Sequence, residues 1–406
     1  MNRSGLVPSI KIDLANPTVL YSILWLLSLF LYSLDITTNI LGLNTETVVL
    51  ILISIGSAWL AYSYLWLGRS AVHIRRYSFV GRNPDSKIIY FKRIIMVLIA
   101  LWSLLSFCEI VYFKGIPLIS VAVLGQYDLD YKAFGIPTVH GFLNACYLTI
   151  LTSLGILYFF ERKRKVMLLL VALLVWPVLL MSRALLLWAL LEVFAVYLIF
   201  HKLTMMRILK TSFYFLCFIV LFGWIGDNRG DSENSFTDKF IKEEHEDIAK
   251  FIPSGFIWAY LYLSTPINNI VYNIETIKPD YSLRYTTVGL IPSFIRDKIY
   301  DNENEKYALD LYSEAFNVSS FFANYLRDLG IVGTLILVLL LQSLSINLFF
   351  SARDFKLGSM IAYSCLFYAI FLSVFSDFFF SLVTVFQVMI GLFINYLLYS
   401  KKHVQR

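Results

Sequence analysis

The sequence predicts an all-α membrane protein that crosses the bilayer about ten times and carries one large extramembrane loop. Composition is the first observation behind this reading. Apolar residues fill 58% of 406 positions and charged residues only 15%, whereas soluble domains run near about 45–50% and about 25%. Mean hydropathy is +0.70. The second observation is the recurrence of apolar runs long enough for a ~30 Å hydrocarbon layer. The third is an uneven distribution of basic residues between the two sets of connecting segments. Together they exclude a soluble enzyme, a disordered chain and a disulfide scaffold. Cys108, Cys146, Cys217 and Cys365 lie inside apolar runs without CxxC spacing and read as small core residues. The polar start shows no cleavable leader pattern.

The predicted spans are 17–36, 46–67, 94–112, 139–160, 166–181, 184–200, 211–226, 329–350, 357–375 and 381–399. The N-terminus and segments 68–93, 161–165, 201–210, 351–356 and 400–406 hold 21 of the 34 Lys and Arg. The short loops of the other side hold three: Lys114, Lys132 and Arg183. By the positive-inside rule both termini are cytoplasmic. One helix over 166–200 would reach about 51 Å, so a hairpin turning at Met181-Ser182-Arg183 is expected instead. The run at 254–274 contains Ser, Thr, Pro and two Asn. It reads as an interfacial or re-entrant helix with Trp258, Tyr260 and Tyr262 at headgroup level.

Three regions result: seven helices in 1–226, a large loop over 227–327 on the outer side, and three helices in 328–406. The loop carries 16 acidic and 10 basic residues, a net of −6 in a chain of net +6. Within it, 235–252 reads as an amphipathic helix, with Ser235 and Asp238 resembling a capping box and Phe236, Phe240, Ile248 and Phe251 forming a stripe. No comparable domain faces the cytoplasm, which speaks against ATP hydrolysis or nucleotide-sugar chemistry there.

Ionisable residues within or beside spans are the functional candidates. Arg183 follows Ser182, which can cap the next helix. A cation at the positive end of a helix dipole is unfavourable until an anion such as phosphate joins it. The alternative is an arginine snorkelling to the interface. Glu109 either serves catalysis or pairs with an arginine such as Arg183. His140, at the entry to the fourth span, is a structural residue or a base. Asp227 and Arg229 lie in GDNRG, a glycine-flanked turn where backbone can approach a ligand. Arg284, Arg327 and Asp328 complete the set. Guanidinium binds phosphate bidentately and keeps its charge, so converging arginines suit an anionic lipid headgroup. The acidic run 243–247 around His245 reads as a solvated face, with no metal or other cofactor expected, and no nucleotide or nucleic-acid motif occurs.

The order of these features resembles the Wzy-type O-antigen and capsule repeat-unit polymerases. The similar stretches are CEIVYFKGIP, YKAFGIPTVHG, SRALLL, FGWIGDNRG, IWAYLYLSTPINN, VGLIPSF and FNVSSFFANYLRDLGIVG. The resemblance implies a polytopic glycosyltransferase of the bacterial inner membrane. Such enzymes join undecaprenyl-diphosphate-linked oligosaccharide units on the periplasmic side without a cofactor, alongside a Wzz-type chain-length regulator. It implies Arg183, Arg229 and Arg284 at the diphosphate, with Glu109, His140 or Asp227 as acid–base groups. Arg327 and Asp328 stand where many members read YxDFG, and Trp258 and Tyr260 would border a lipid or sugar groove. An O-antigen ligase and a lipid-linked oligosaccharide flippase are the competing readings. The 100-residue loop argues against the flippase.

Overall fold

The computed structural model describes residues 13–38, 40–72, 84–125, 134–201, 240–245, 251–292, 309–313 and 318–400, with scattered positions between them. Helix is the only regular structure among the described residues. In chain order the elements are α1 (Pro17–Ser33), α2 (Thr45–Val72), α3 (Pro84–Phe113), the short α4 (Pro117–Ala122), α5 (Val139–Glu161), α6 (Arg164–Leu179) and α7 (Arg183–Phe200). They continue with α8 (Ser254–Asn273), the single turn α9 (Arg284–Thr287), α10 (Phe322–Arg353), α11 (Leu357–Phe371) and α12 (Leu382–Tyr399). Six of these helices (α2, α3, α5, α7, α10 and α12) are long and apolar enough to cross a membrane, and α1 and α11 are shorter apolar helices. This is a multi-pass helical membrane protein. Most of the expected span at 211–226 lies outside the described residues.

Local sequence sets the helix ends. Asn16 caps α1 by accepting the Thr18 amide ahead of Pro17. Between α6 and α7 the chain turns as the hairpin reading expects. Pro177 lies in the last turn of α6, Met181 takes φ 55°, and Ser182 caps α7 by accepting the Leu185 amide. Gly330, at φ 66° and ψ −175°, breaks α10 two residues after Asp328. A Cβ there would sit 3.2 Å from Pro279 Cγ.

In lipid, apolar burial supplies little drive for helices to associate, so close packing and hydrogen bonds carry the bundle. α11 is the central helix, with every residue from Leu357 to Ile370 buried by α12, α10, α7 and α1. It crosses α12 backbone to backbone. A Cβ on Gly391 would lie 2.7 Å from Gly358 O, and one on Gly358 would lie closer still to Gly391 O. A second core gathers α3, α5, α6 and α7. Glu192 of α7, fully buried, ties three helices by accepting from Thr152 of α5 and from Gln387 Nε2 of α12 (2.6 Å).

Two expectations for the loop change. The amphipathic helix expected over 235–252 does not form at 240–245. Ile241 instead makes an antiparallel bridge with Thr37, and Glu243–His245 is one 3₁₀ turn. The cause is pairing with the chain after α1: Thr38 N donates to Phe240 O, Lys242 N to Ile36 O, and Lys242 Nζ lies 2.6 Å from Asp35. Phe240 then packs on Phe316 while Phe251 stands 91% exposed, which ends the expected stripe; Ser235, Phe236, Asp238 and Ile248 lie outside the described residues. In α8, the asparagines that depress its hydropathy are buried ties. Asn268 Oδ1 accepts from Leu41 N and Tyr32 OH. Asn269 donates to Phe316 O and Val318 O, and Asn273 to Asp310 O.

Candidate functional site

The starts of α5, α7 and α12 and the end of α3 meet at one end of the bundle, covered by segments 134–138, 279–292 and 372–381. Phe142 packs edge-on against Phe386 at 4.6 Å. A Cβ on Gly289 would lie 2.7 Å from Phe380 O, and Phe321 N donates to Ser373 O.

Two sequence candidates are joined here. Glu109, one turn before the end of α3, is 1% exposed, and its Oε2 lies 3.0 Å from His140 Nδ1. Its other oxygen accepts the Ile136 amide at 3.1 Å. The carboxylate therefore pairs with the imidazole rather than with Arg183. The chain is shaped for this contact. Gly135 has φ 103°, and a Cβ there would lie 2.6 Å from His140 Nδ1, so only glycine fits. Thr138 begins α5 at φ 70°, which is strained for a β-branched residue. Phe134 stands edge-on to the imidazole at 5.6 Å and to Phe113 at 5.0 Å. A buried carboxylate on Nδ1 holds the Nδ1–H tautomer and leaves Nε2 as the acceptor of a ring that is 29% exposed. That arrangement is fitted to take a proton from a bound hydroxyl.

Arg183 is exposed in the first turn of α7. Among the described residues neither it nor Arg327 has a carboxylate within ion-pair distance. Arg284 and Arg327 converge on one ring: each guanidinium carbon is 5.9 Å from the Tyr285 centroid. Arg327 Nε is buried with no hydrogen-bond partner. Asp328 explains why these groups stay together. Fully buried, it accepts the amides of Tyr285 (3.2 Å) and Thr286 (2.6 Å), while the carbonyls of Arg327 and Asp328 accept the amides of Asp280 and Tyr281. Asp328 is thus the anchor of the turn that presents Arg284. Arg327, and Arg183 in the first turn of the Ser182-capped α7, are guanidinium groups without a carboxylate partner among the described residues, and such groups are suited to an anion.

Trp258 and Tyr262 stack at 5.9 Å, and Tyr262 meets Phe375 at 5.6 Å. Tyr260 is buried, and its hydroxyl accepts the Ile36 amide. Asp227 and Arg229 lie outside the described residues. His245 Nε2 is 3.6 Å from Glu244, and among the described residues no group of three or more His, Cys, Asp or Glu comes together.

Sequence reading missed three residues. Tyr285 is an ordinary aromatic until the fold puts two arginines on it. Asp377, in the loop between α11 and α12, accepts the Phe379 amide at 2.9 Å, and burial pushes its carboxyl up to about 6. Glu192 was detectable as the one acidic residue in the run 184–200. No family model, curated protein or solved structure matches this chain. Fold and site define a multi-pass helical membrane protein with a carboxylate–imidazole pair and several arginines at one end of its bundle.

Proposed function

We propose that this protein is a glycosyltransferase that polymerises oligosaccharide repeat units carried on undecaprenyl diphosphate, for O-antigen or capsule, at the periplasmic face of the bacterial inner membrane. The observation that carries the reading is the Glu109–His140 pair, placed at the same end of the bundle as Arg183, Arg284 and Arg327. In this reading a hydroxyl of the acceptor unit attacks the anomeric carbon of the donor. His140 Nε2 takes the hydroxyl proton, and Glu109 steadies the resulting imidazolium. The bond from the anomeric carbon to the diphosphate oxygen breaks, and its electron pair leaves on the lipid diphosphate. The arginines and the α7 N-terminus stabilise that developing charge. The basic asymmetry supports ten spans with both termini cytoplasmic and 227–327 periplasmic. Reporter fusions at Asp247 and Asn304 would then both be active only in the periplasm; opposite sides would make α8 a true span and invert the last three helices.

The glycolipid ladder of a deletion strain tests the function. Core bearing a single repeat unit supports a polymerase, and wild-type chain, but not His140→Ala, restores the ladder. Bare core with accumulated lipid-linked polymer would make the protein a ligase. Absence of both would make it a flippase.

A further inference from the structure

At the opposite end of the bundle, α10, the start of α11 and the end of α12 line an open cleft of about 500 Å³. We propose that this cleft holds the headgroup and upper acyl chain of an anionic membrane phospholipid. The inference does not rest on the proposed function, because the cleft is remote from the arginine-bearing end.

Its lining combines apolar and polar side chains with a basic mouth, as a lipid headgroup and its upper chain require. Leu344, Leu348 and Leu392 line it together with the polar Asn347, Ser359 and Asn395, while Ser351, Lys356 and Ser400 form the mouth. Seven residues separate Leu344 from Ser351 on α10, about 10 Å at 1.5 Å per residue. The lining of α10 therefore spans about one headgroup depth, with Leu348 already three residues inside Ser351. Leu344 and Leu392 are 43% and 45% exposed, so the cleft opens sideways to lipid as well as toward the bundle end. Tyr396, also in the lining, is 64% exposed at the position where aromatic residues settle among headgroups.

The mouth is positive. Among the described residues Lys356 has no carboxylate within ion-pair distance, unlike its neighbours Arg353 and Arg69. Lys87 Nζ lies 4.2 Å from the ring centroid of Tyr399, another lining residue. In the sequence Lys401 and Lys402 follow Ser400 directly. A basic pocket between membrane helices is the arrangement that selects anionic headgroups, each nearby cation adding roughly a fivefold preference.

The full-length protein extracted with its native lipids is examined by native mass spectrometry, then titrated in zwitterionic nanodiscs with phosphatidylglycerol. The expected result is one tightly retained anionic phospholipid, about fivefold weaker phosphatidylglycerol binding in Lys356→Ala, and loss of the lipid in Leu392→Trp, whose indole fills the cleft. Should Leu392→Trp fail to fold, Leu344→Trp closes the cleft from the facing helix. Retention of the lipid in the folded tryptophan variant, equal binding of phosphatidylcholine, or displacement by glycerol phosphate alone would each overturn the proposal.

Discussion

Where α2, α5 and α10 stop, Arg69 pairs with Asp354, Arg353 with Asp13, and Lys92 and Lys163 share Glu161. At the other end Arg183 and Arg327 have no such partner among the described residues, and the nearby carboxylates face elsewhere. Glu109 holds an imidazole, and Asp328 holds two backbone amides. Backbone strain follows the same division. Of the described non-glycine residues with positive φ, Asp35, Lys114, Thr138, Met181, Tyr281, Leu283 and Ser320 lie at the arginine-bearing end, whereas Arg162 and Phe355 lie at the other. Strained backbone persists where the surrounding structure over-determines it, and functional sites are where it gathers. At the first end most cations latch helix termini, Lys356 at the cleft mouth excepted; at the other, Lys242 latches Asp35 while Arg183 and Arg327 stay available to an anion.

If that division is real, substitutions at the two ends separate sharply. Removing one preorganised donor to developing negative charge costs about 10²–10³ in rate. Arg183→Ala, Arg183→Lys and Arg327→Ala should therefore shorten or abolish polymer while the protein level in the membrane stays normal, as read on a glycolipid gel. The lysine variant fails because it keeps charge but lacks the planar fork. Normal-length polymer from Arg183→Lys would reduce Arg183 to an interfacial anchor.

The next effect falls on the core between the two ends. Gly358→Ala forces a methyl into the α11–α12 crossing, and overpacking costs about 1–3 kcal/mol or more. A folding yield well below wild type in detergent is expected, with Gly56→Ala, which meets open space, as the neutral comparison.

Asp377 supplies a pH test at the arginine-bearing end. Its folded carboxyl titrates near 6 against an ordinary 3.8, because burial disfavours the charged form. The folded state thus binds its proton more tightly than the unfolded state. Stability from this group is greatest below about 3.8 and is lost as pH rises through about 6. Asp377→Asn should raise the melting temperature at pH 7, through a stability gain of roughly 3 kcal/mol, and that gain should vanish near pH 4. A gain independent of pH would refute the assignment to burial. The smallest effect belongs to the latching end, where Lys163→Ala breaks an exposed pair worth about 0–1 kcal/mol and should leave both melting and polymer length unchanged.

The helices were legible in the sequence because membrane spanning imposes length and hydropathy directly on the chain. Ser182 as the α7 cap and the turn at Met181 follow from local chemistry and were equally readable. The pairing of Glu109 with His140 was not, since it depends on how a strained turn at Gly135 and Thr138 folds back onto α3. Nor was the anchoring role of Asp328, which reaches 43 residues back to Tyr285. The helix expected over 235–252 failed at 240–245 because amphipathic spacing carries no information about the segment at Thr37 with which it pairs. Polar residues inside apolar helices carried more meaning than their hydropathy suggested: Asn268, Asn269 and Asn273 are ties, and Glu192 joins three helices.

The central claim is that His140, oriented by Glu109, removes the acceptor proton at the arginine-bearing end. Its most direct test is elongation by purified protein on defined lipid-linked units, followed over pH for wild type, Glu109→Gln and His140→Ala. General-base catalysis contributes about 10²–10⁴ in rate. The account predicts that His140→Ala loses this factor while still binding the lipid-linked donor. It also predicts that Glu109→Gln loses much of the rate and shifts the ascending limb of the pH profile. Elongation by His140→Ala at the wild-type rate and with the wild-type pH profile would contradict it.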